Sequence, residues 1–204
     1  MKTIGKFFKG VIAVLVVVFA FLLRPIFFVL FPVKVYGRKN LKYKGGAIVA
    51  SNHFSNFDII LLIVNFFNNT FARKLLAKRE LSKFKPFGFL LSGCGAIFIT
   101  RGAVDLAAVR EVSATLSAGK KLVMFPEGTR NKTGSEDMQE IKSGIIFFAK
   151  KNNCPIIPLR MERKARLFRL TRIYIGEPYN VGDGGKRSTE EEVKILEEKF
   201  NSLI

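Results

Sequence analysis

The sequence predicts an α/β domain with a mainly parallel central sheet flanked by helices, preceded by an N-terminal membrane-embedded helical segment or two-helix hairpin. Two observations carry this. From residue 46 onward, short apolar runs of strand length alternate with stretches of helical length that bear cap residues at their ends. Before that point, apolar sequence flanked by lysines runs almost unbroken to Pro32. The boundaries read as a membrane-anchoring segment over 1–32 and a catalytic-type domain over 33–204.

Val11 to Leu23 is uninterrupted apolar sequence, Arg24-Pro25 breaks it, and Ile26 to Phe31 resumes it. As a helix the first run covers only about 20 Å at ~1.5 Å per residue, against a bilayer core of roughly 30 Å. A span from Phe7 through Phe31 is long enough but must accept Lys9, Arg24 and Pro25, and a mid-bilayer arginine costs at least a few kcal/mol. Two short helices hinged at Arg24-Pro25 in one leaflet avoid most of that cost, because Arg24 reaches the headgroups. A secretory signal is the competing reading, but no small-residue cleavage site follows Leu23.

Within the domain, Gly46 to Ser51 reads as a buried strand and Asp58 to Val64 as the start of an apolar helix. Leu75–Ala77, Ala96–Ile99, Leu122–Phe125, Ile156–Leu159 and Ile173–Ile175 read as further strands. Val104 to Ala118, Ile141 to Asn152 and Thr189 to Leu203 read as helices, the first ended by Gly119 and the last opened by a Ser188/Thr189 cap followed by glutamates. Strand order is not encoded in this pattern.

Composition limits the partners. Lys plus Arg number 34 against 16 Asp plus Glu, a net charge of +18, which fits nucleic acid or an anionic membrane surface. A hydrophobic fraction of 49% favours the membrane over nucleic acid. The flanking cations Lys34, Arg38, Lys39, Lys42 and Lys44 extend a basic face toward anionic lipid, on the cytoplasmic side by the charge bias of membrane proteins. Cys94 and Cys154 are widely separated and His53 is the only histidine, so neither a disulfide framework nor a thiol–imidazole metal cluster is expected, and a reducing compartment is the simpler context.

That single histidine lies in Asn52-His53-Phe54-Ser55-Asn56-Phe57-Asp58, five positions before the first acidic residue of the chain. An imidazole oriented by a carboxylate is a general base at neutral pH. The alternative is that Asp58 only caps a helix and His53 is an incidental loop residue. Two more polar motifs follow strand ends, where α/β folds place their sites. These are Thr100-Arg101-Gly102 and Phe125-Pro126-Glu127-Gly128-Thr129-Arg130. Gly128 permits positive φ or close approach of a ligand, Arg101 and Arg130 each offer a two-donor fork to a phosphate, and Lys142 adds a third cation or is merely solvated. A polar turn with a surface ion pair is the plainer reading of Glu127 to Arg130.

Taken together, these motifs resemble a known family. NHFSNFD matches the NHxxxxD motif of the glycerolipid acyltransferases, GAIFITR their second motif, FPEGTR their third, and Ile156-Ile157-Pro158 their fourth. The resemblance covers roughly residues 33 to 180 and is greatest to the lysophosphatidic acid acyltransferases of bacteria. Thr100 departs from the Asp or similar residue that often precedes the second-motif arginine. The resemblance implies transfer of an acyl chain from acyl-CoA or acyl-acyl carrier protein to the sn-2 hydroxyl of 1-acyl-sn-glycerol-3-phosphate. His53 and Asp58 would be catalytic, and Arg101, Glu127, Gly128, Thr129, Arg130 and Lys142 would bind substrate. Glu127 would hold an arginine or a glycerol hydroxyl. No metal or cofactor is implied. Two other readings stay open: another lysophospholipid as acceptor, and a non-catalytic protein that binds anionic lipid.

Overall fold

The computed structural model describes residues 24–66, 74–83, 85–93, 95–100, 105–131 and 138–204. In chain order, helix α1 (Arg24–Leu30) leads to β1 (Val33–Tyr36) and a 3-10 turn at Arg38–Lys42; then come β2 (Ala47–Ser51) and α2 (Phe57–Phe66). β3 (Lys74–Lys78), a second 3-10 turn at Arg79–Lys83, α3 (Lys85–Gly93) and β4 (Ala96–Ile99) follow. The chain continues through α4 (Leu106–Ser117), β5 (Lys121–Met124), α5 (Gly144–Asn152), β6 (Ile156–Met161), β7 (Thr171–Ile175) and α6 (Thr189–Asn201).

All strands join one sheet in the order β1-β7-β6-β2-β5-β3-β4. The five strands from β6 to β4 are mutually parallel, while β7 runs antiparallel to β6 and β1 is parallel to β7. The expected mainly parallel sheet is therefore present, with two reversed strands at one side. β2 sits between β6 and β5, and all five of its residues are buried, as a central strand covered on both faces requires.

Period-2 alternation splits the core into two layers. Ala47 and Val49 join Ile59, Leu62, Phe66 and Leu91 on the face covered by α1, α2 and α3. Ile48 and Ala50 join Val112, Leu116, Ile145, Leu196 and Phe200 on the face covered by α4, α5 and α6. α6 opens with the expected cap: Ser188 Oγ accepts from the Glu191 N–H, and the Glu191 side chain accepts from the Ser188 N–H.

Several boundaries differ from expectation. β1 and α3 are additional. β1 buries Val33 and Val35 more than Lys34 and Tyr36, so part of the predicted basic face is the outward side of an edge strand. α4 starts at Leu106 and not Val104 because Asp105 caps it, its carboxylate accepting the Ala108 N–H. α5 starts at Gly144 and not Ile141. Ile141 is buried in the preceding segment, whose Lys142 N–H donates to the Pro126 carbonyl.

The run Val11–Leu23 lies outside the described residues, as does most of a Phe7–Phe31 span. Among the described residues no helix is long and apolar enough to cross a membrane. The second half of the predicted hairpin is helical as α1, and it packs onto the domain. Phe27 and Phe31 lie 5.5 and 4.4 Å from the ring of Phe57, at the start of α2.

Candidate active site

Because β2, β5, β3 and β4 are parallel, the segments leaving their C-terminal ends meet at one edge of the sheet. Ala50 of β2 pairs with Met124 of β5, so the NHFSNFD segment and the FPEGTR loop emerge side by side. Direct bonds join them: the Asn131 N–H donates to the His53 carbonyl at 2.7 Å, and the His53 N–H donates to Glu127 Oε1 at 2.8 Å.

The His53–Asp58 pair is formed, with Nδ1 3.0 Å from Asp58 Oδ2. Asp58 is fully buried in the first turn of α2 and collects the whole loop. Its Oδ2 also accepts the Phe54 and Ser55 N–H groups at 2.6 and 2.7 Å, and its Oδ1 accepts the Ser55 hydroxyl at 3.0 Å. Asp58 thus ties down the loop that precedes α2 and at the same time accepts from the imidazole. An acceptor at Nδ1 places the proton of a neutral ring there, leaving Nε2 as the basic nitrogen. The ring is held on its face by Phe125, with centroids 4.0 Å apart and planes at 22°.

Sequence reasoning passed over Asn52. Its side chain is buried and continues the β2–β6 ladder, Nδ2 donating to the Met161 carbonyl and Oδ1 accepting the Met161 N–H, each at 2.8 Å. The backbone that carries His53 is therefore fixed on one side to β6 by Asn52 and on the other to the FPEGTR loop by Glu127. The signal was the Asn-His pairing at a strand end, where an amide can stand in for a peptide group.

Glu127 has a structural role that the sequence did not suggest. Among the described residues its two oxygens serve the backbone, Oε1 accepting from His53 and Oε2 from the Gln139 N–H at 3.4 Å, and neither grips an arginine. Burial pushes its carboxyl up to about 7, against the pull of these two N–H groups, and the nearby Asp58 charge raises it further. Gly128 adopts φ 71°, as its position in the tight Phe125–Gly128 turn demands, and its N–H donates to the Phe125 carbonyl.

His53, Glu127, Gly128, Thr129, Arg130 and Lys142 all line one groove of about 640 Å³, whose remaining wall is largely apolar and includes Ile59, Leu76, Ile99, Met124 and Phe148. Thr129 donates to Gln139 Oε1 at 3.2 Å. Lys142 stands exposed at the rim, 2.8 Å from Glu140, a solvated pair of little energetic weight. Arg130 is exposed and forms no ion pair among the described residues. Arg101 lies outside the described residues, but its neighbour Thr100 is placed: Arg79 Nε donates to Thr100 Oγ1 and Arg79 Nη2 to Asp105, each at 2.8 Å. Arg79, unremarked in the sequence, holds both ends of the segment carrying Arg101 and keeps the Asp105 carboxyl well below its usual range.

A sequence model of one family, described as Acyltransferase, matches residues 32–162, which include every element of this site. The chain belongs to the acyltransferase family. Members similar to it include a 1-acyl-sn-glycerol-3-phosphate acyltransferase of Borreliella burgdorferi, 31% identical over 66% of this chain and 52% of that protein. Another of the same name from Bacillus subtilis is 27% identical over 84% of this chain and 86% of that one. The chain thus spans about half the length of the first acyltransferase and most of the second. The crystal structure of a 1-acyl-sn-glycerophosphate (LPA) acyltransferase, PlsC, from Thermotoga maritima superposes with a TM-score of 0.63 at 28% identity, covering 84% of this chain and 70% of that one.

Proposed function

We propose that this acyltransferase moves an acyl chain from an acyl thioester, acyl-CoA or acyl-acyl carrier protein, to the sn-2 hydroxyl of 1-acyl-sn-glycerol-3-phosphate, giving phosphatidic acid. The observation that carries the reading is the His53–Asp58 pair, formed at 3.0 Å with the ring lining a groove that is apolar along its length and cationic at Arg130. Similarity to proteins named for this activity supports the choice of acceptor.

His53 Nε2 removes the hydroxyl proton as the oxygen attacks the thioester carbonyl carbon. The imidazolium that forms is stabilised by Asp58, whose position four hydrogen bonds hold fixed. Collapse of the tetrahedral species breaks the C–S bond, and the imidazolium returns its proton to the leaving thiolate. Arg130, with Arg101, binds the acceptor phosphate; Thr129 and Lys142 stand beside it at the rim. Transfer is direct. Cys154 is buried, does not line the groove and has its thiol pushed up to about 11 by that burial. Cys94 lies outside the described residues, and the sequence's single histidine, His53, already serves the acceptor hydroxyl, so neither thiol has an imidazole to activate it. Residues 1–32 anchor the chain to the cytoplasmic face of the membrane and 33–204 form the acyltransferase domain.

An acceptor panel with thiol release as the readout tests this. Lysophosphatidate should be the preferred acceptor with at least one of the two donors. Release with lysophospholipids of larger headgroup but not with lysophosphatidate would reassign the acceptor, and no release from either donor with any acceptor would leave a lipid-binding protein.

A further inference from the structure

We propose that the hairpin tip between β6 and β7 is a second membrane-inserting element, which docks on a bilayer containing anionic phospholipid. At this tip Arg166 and Arg169 form an isolated antiparallel bridge, with Leu167 and Phe168 between them. The Arg169 N–H closes the turn on the Arg166 carbonyl, and Phe168 takes φ 56°, a left-handed conformation that a bulky residue rarely adopts and that glycine would occupy without strain. The turn spends that strain on displaying an aromatic ring: Phe168 is 72% and Leu167 59% exposed. A large side chain held strained and solvated points to a function outside the fold.

The charge around the tip names the occupant. From Glu162 to Arg172 five basic residues stand against one acidic. Arg163 and Arg172 pair with that Glu162, while Lys164, Arg166 and Arg169 are exposed and make no ion pair among the described residues. Apolar tips ringed by unpaired cations match a leaflet of anionic headgroups over acyl chains. Continuity points the same way. The Phe168 N–H donates to the Leu30 carbonyl at 2.7 Å and the Thr171 N–H to the Pro32 carbonyl at 2.9 Å, so the tip is tied to the end of α1. α1 itself exposes Ile26 and Val29, at 55% and 69%, and directly follows the apolar run Val11–Leu23. Finally, the tip follows β6, whose C-terminal end is level with that of β2, so it lies at the sheet edge where the His53 groove opens.

The chain contains no tryptophan, so one placed at the tip is a unique reporter. Full-length Phe168→Trp is reconstituted in nanodiscs of phosphatidylcholine with or without phosphatidylglycerol, and Leu167→Trp provides the same readout should the first variant fold poorly. Emission should shift to the blue and be lost to lipids brominated on the acyl chain, but not to aqueous iodide. Arg166→Gln with Arg169→Gln in that background should reduce lipid quenching on anionic discs toward the zwitterionic level. Quenching by iodide alone would overturn the proposal by showing the tip in water. Quenching by neither agent would overturn it by showing the tip covered by protein, residues 1–23 or a second copy. The readout needs no turnover, so a lipid-quenched but inactive protein would reject the acyltransfer reading alone, and an active protein with a water-quenched tip would reject the hairpin alone.

Discussion

Replacing Glu127 by glutamine should stabilise the protein at and above neutral pH, by an amount that shrinks to nothing near about pH 5. Burial holds this carboxyl at about 7 where an unstrained glutamate titrates at 4.5. In the folded state the proton is therefore bound more tightly than in the unfolded chain, and between these two values the native state carries more protons. The contribution of this group to stability is full below the unfolded value and is lost as pH rises through about 7. By about pH 8 the ionised carboxylate costs roughly 3 kcal/mol, at ~1.4 kcal/mol per pH unit of displacement. Glutamine removes the charge and keeps an oxygen for the His53 N–H, which sits 2.8 Å from Oε1. It loses the weak 3.4 Å contact with the Gln139 N–H, worth about 1 kcal/mol. The net gain is about 2 kcal/mol, or about 4–8 °C in Tm for a domain of this size. Thermal unfolding of both proteins by circular dichroism in one detergent, from about pH 5 to about pH 8.5, measures it. The gain should be absent near about pH 5, grow as pH rises toward about 7 and level off above that. A difference that is constant across this range, or that favours glutamine more toward acid, would refute the argument that Glu127 is buried at a cost.

His53→Ala should lower kcat about 100-fold or more, the usual scale for loss of a general base, with lysophosphatidate binding little changed in an equilibrium assay; near-normal turnover would end the mechanism. Asp58→Asn can keep an oxygen toward its three N–H donors, so it should fold, yet it loses the charge that stabilises the imidazolium and kcat should fall at least about 100-fold; thiol release with a matched circular dichroism spectrum checks both halves. Asn52→Ala leaves the Met161 N–H and carbonyl unpaired in a buried place, which costs about 2–4 kcal/mol, read as a fall in Tm. Arg130→Lys keeps the charge but loses the fork, so KM for lysophosphatidate should rise more than KM for the donor, and Arg130→Ala should weaken the acceptor about 10- to 150-fold; a selective effect on the donor would reverse the assignment.

Among the strands that the sequence announced, β2, β5 and β6 are buried on both faces, and continuous runs such as Ala47 to Ala50 are hard to place anywhere else. β3, β4 and β7 bury mainly one face and were legible as short apolar runs. β1 was hidden because only Val33 and Val35 face inward, and two valines on either side of Lys34, shortly before Arg38 and Lys39, look like a charged surface. α3 was hidden by Pro86 and Gly88, although a proline in the first turn is tolerated and Gly88 lies where a β-carbon would meet the Ser82 carbonyl at 2.6 Å. The reversal of β7 and β1 depends on long-range pairing that no local pattern specifies. In the site, residues whose partners lie within a few positions of them in the chain were legible: His53 with Asp58 five residues on, and Gly128 in its own turn. Glu127 and Asn52 were not, because an amide or a carboxylate serves ligand and backbone equally well until the partner 74 or 109 residues away is in place.

β1 begins, β6 ends and the groove opens along a single edge of the sheet. On the proposed reading, in which this edge faces a bilayer and the acceptor is a lysolipid, that acceptor reaches the imidazole by lateral diffusion in two dimensions, without crossing water. The concentration that governs saturation is then a mole fraction among neighbouring lipids and not an amount per volume of solution. Diluting the acceptor with inert phospholipid slows such an enzyme even when the bulk amount is unchanged, and the two-chain product is left in the plane from which its precursor came.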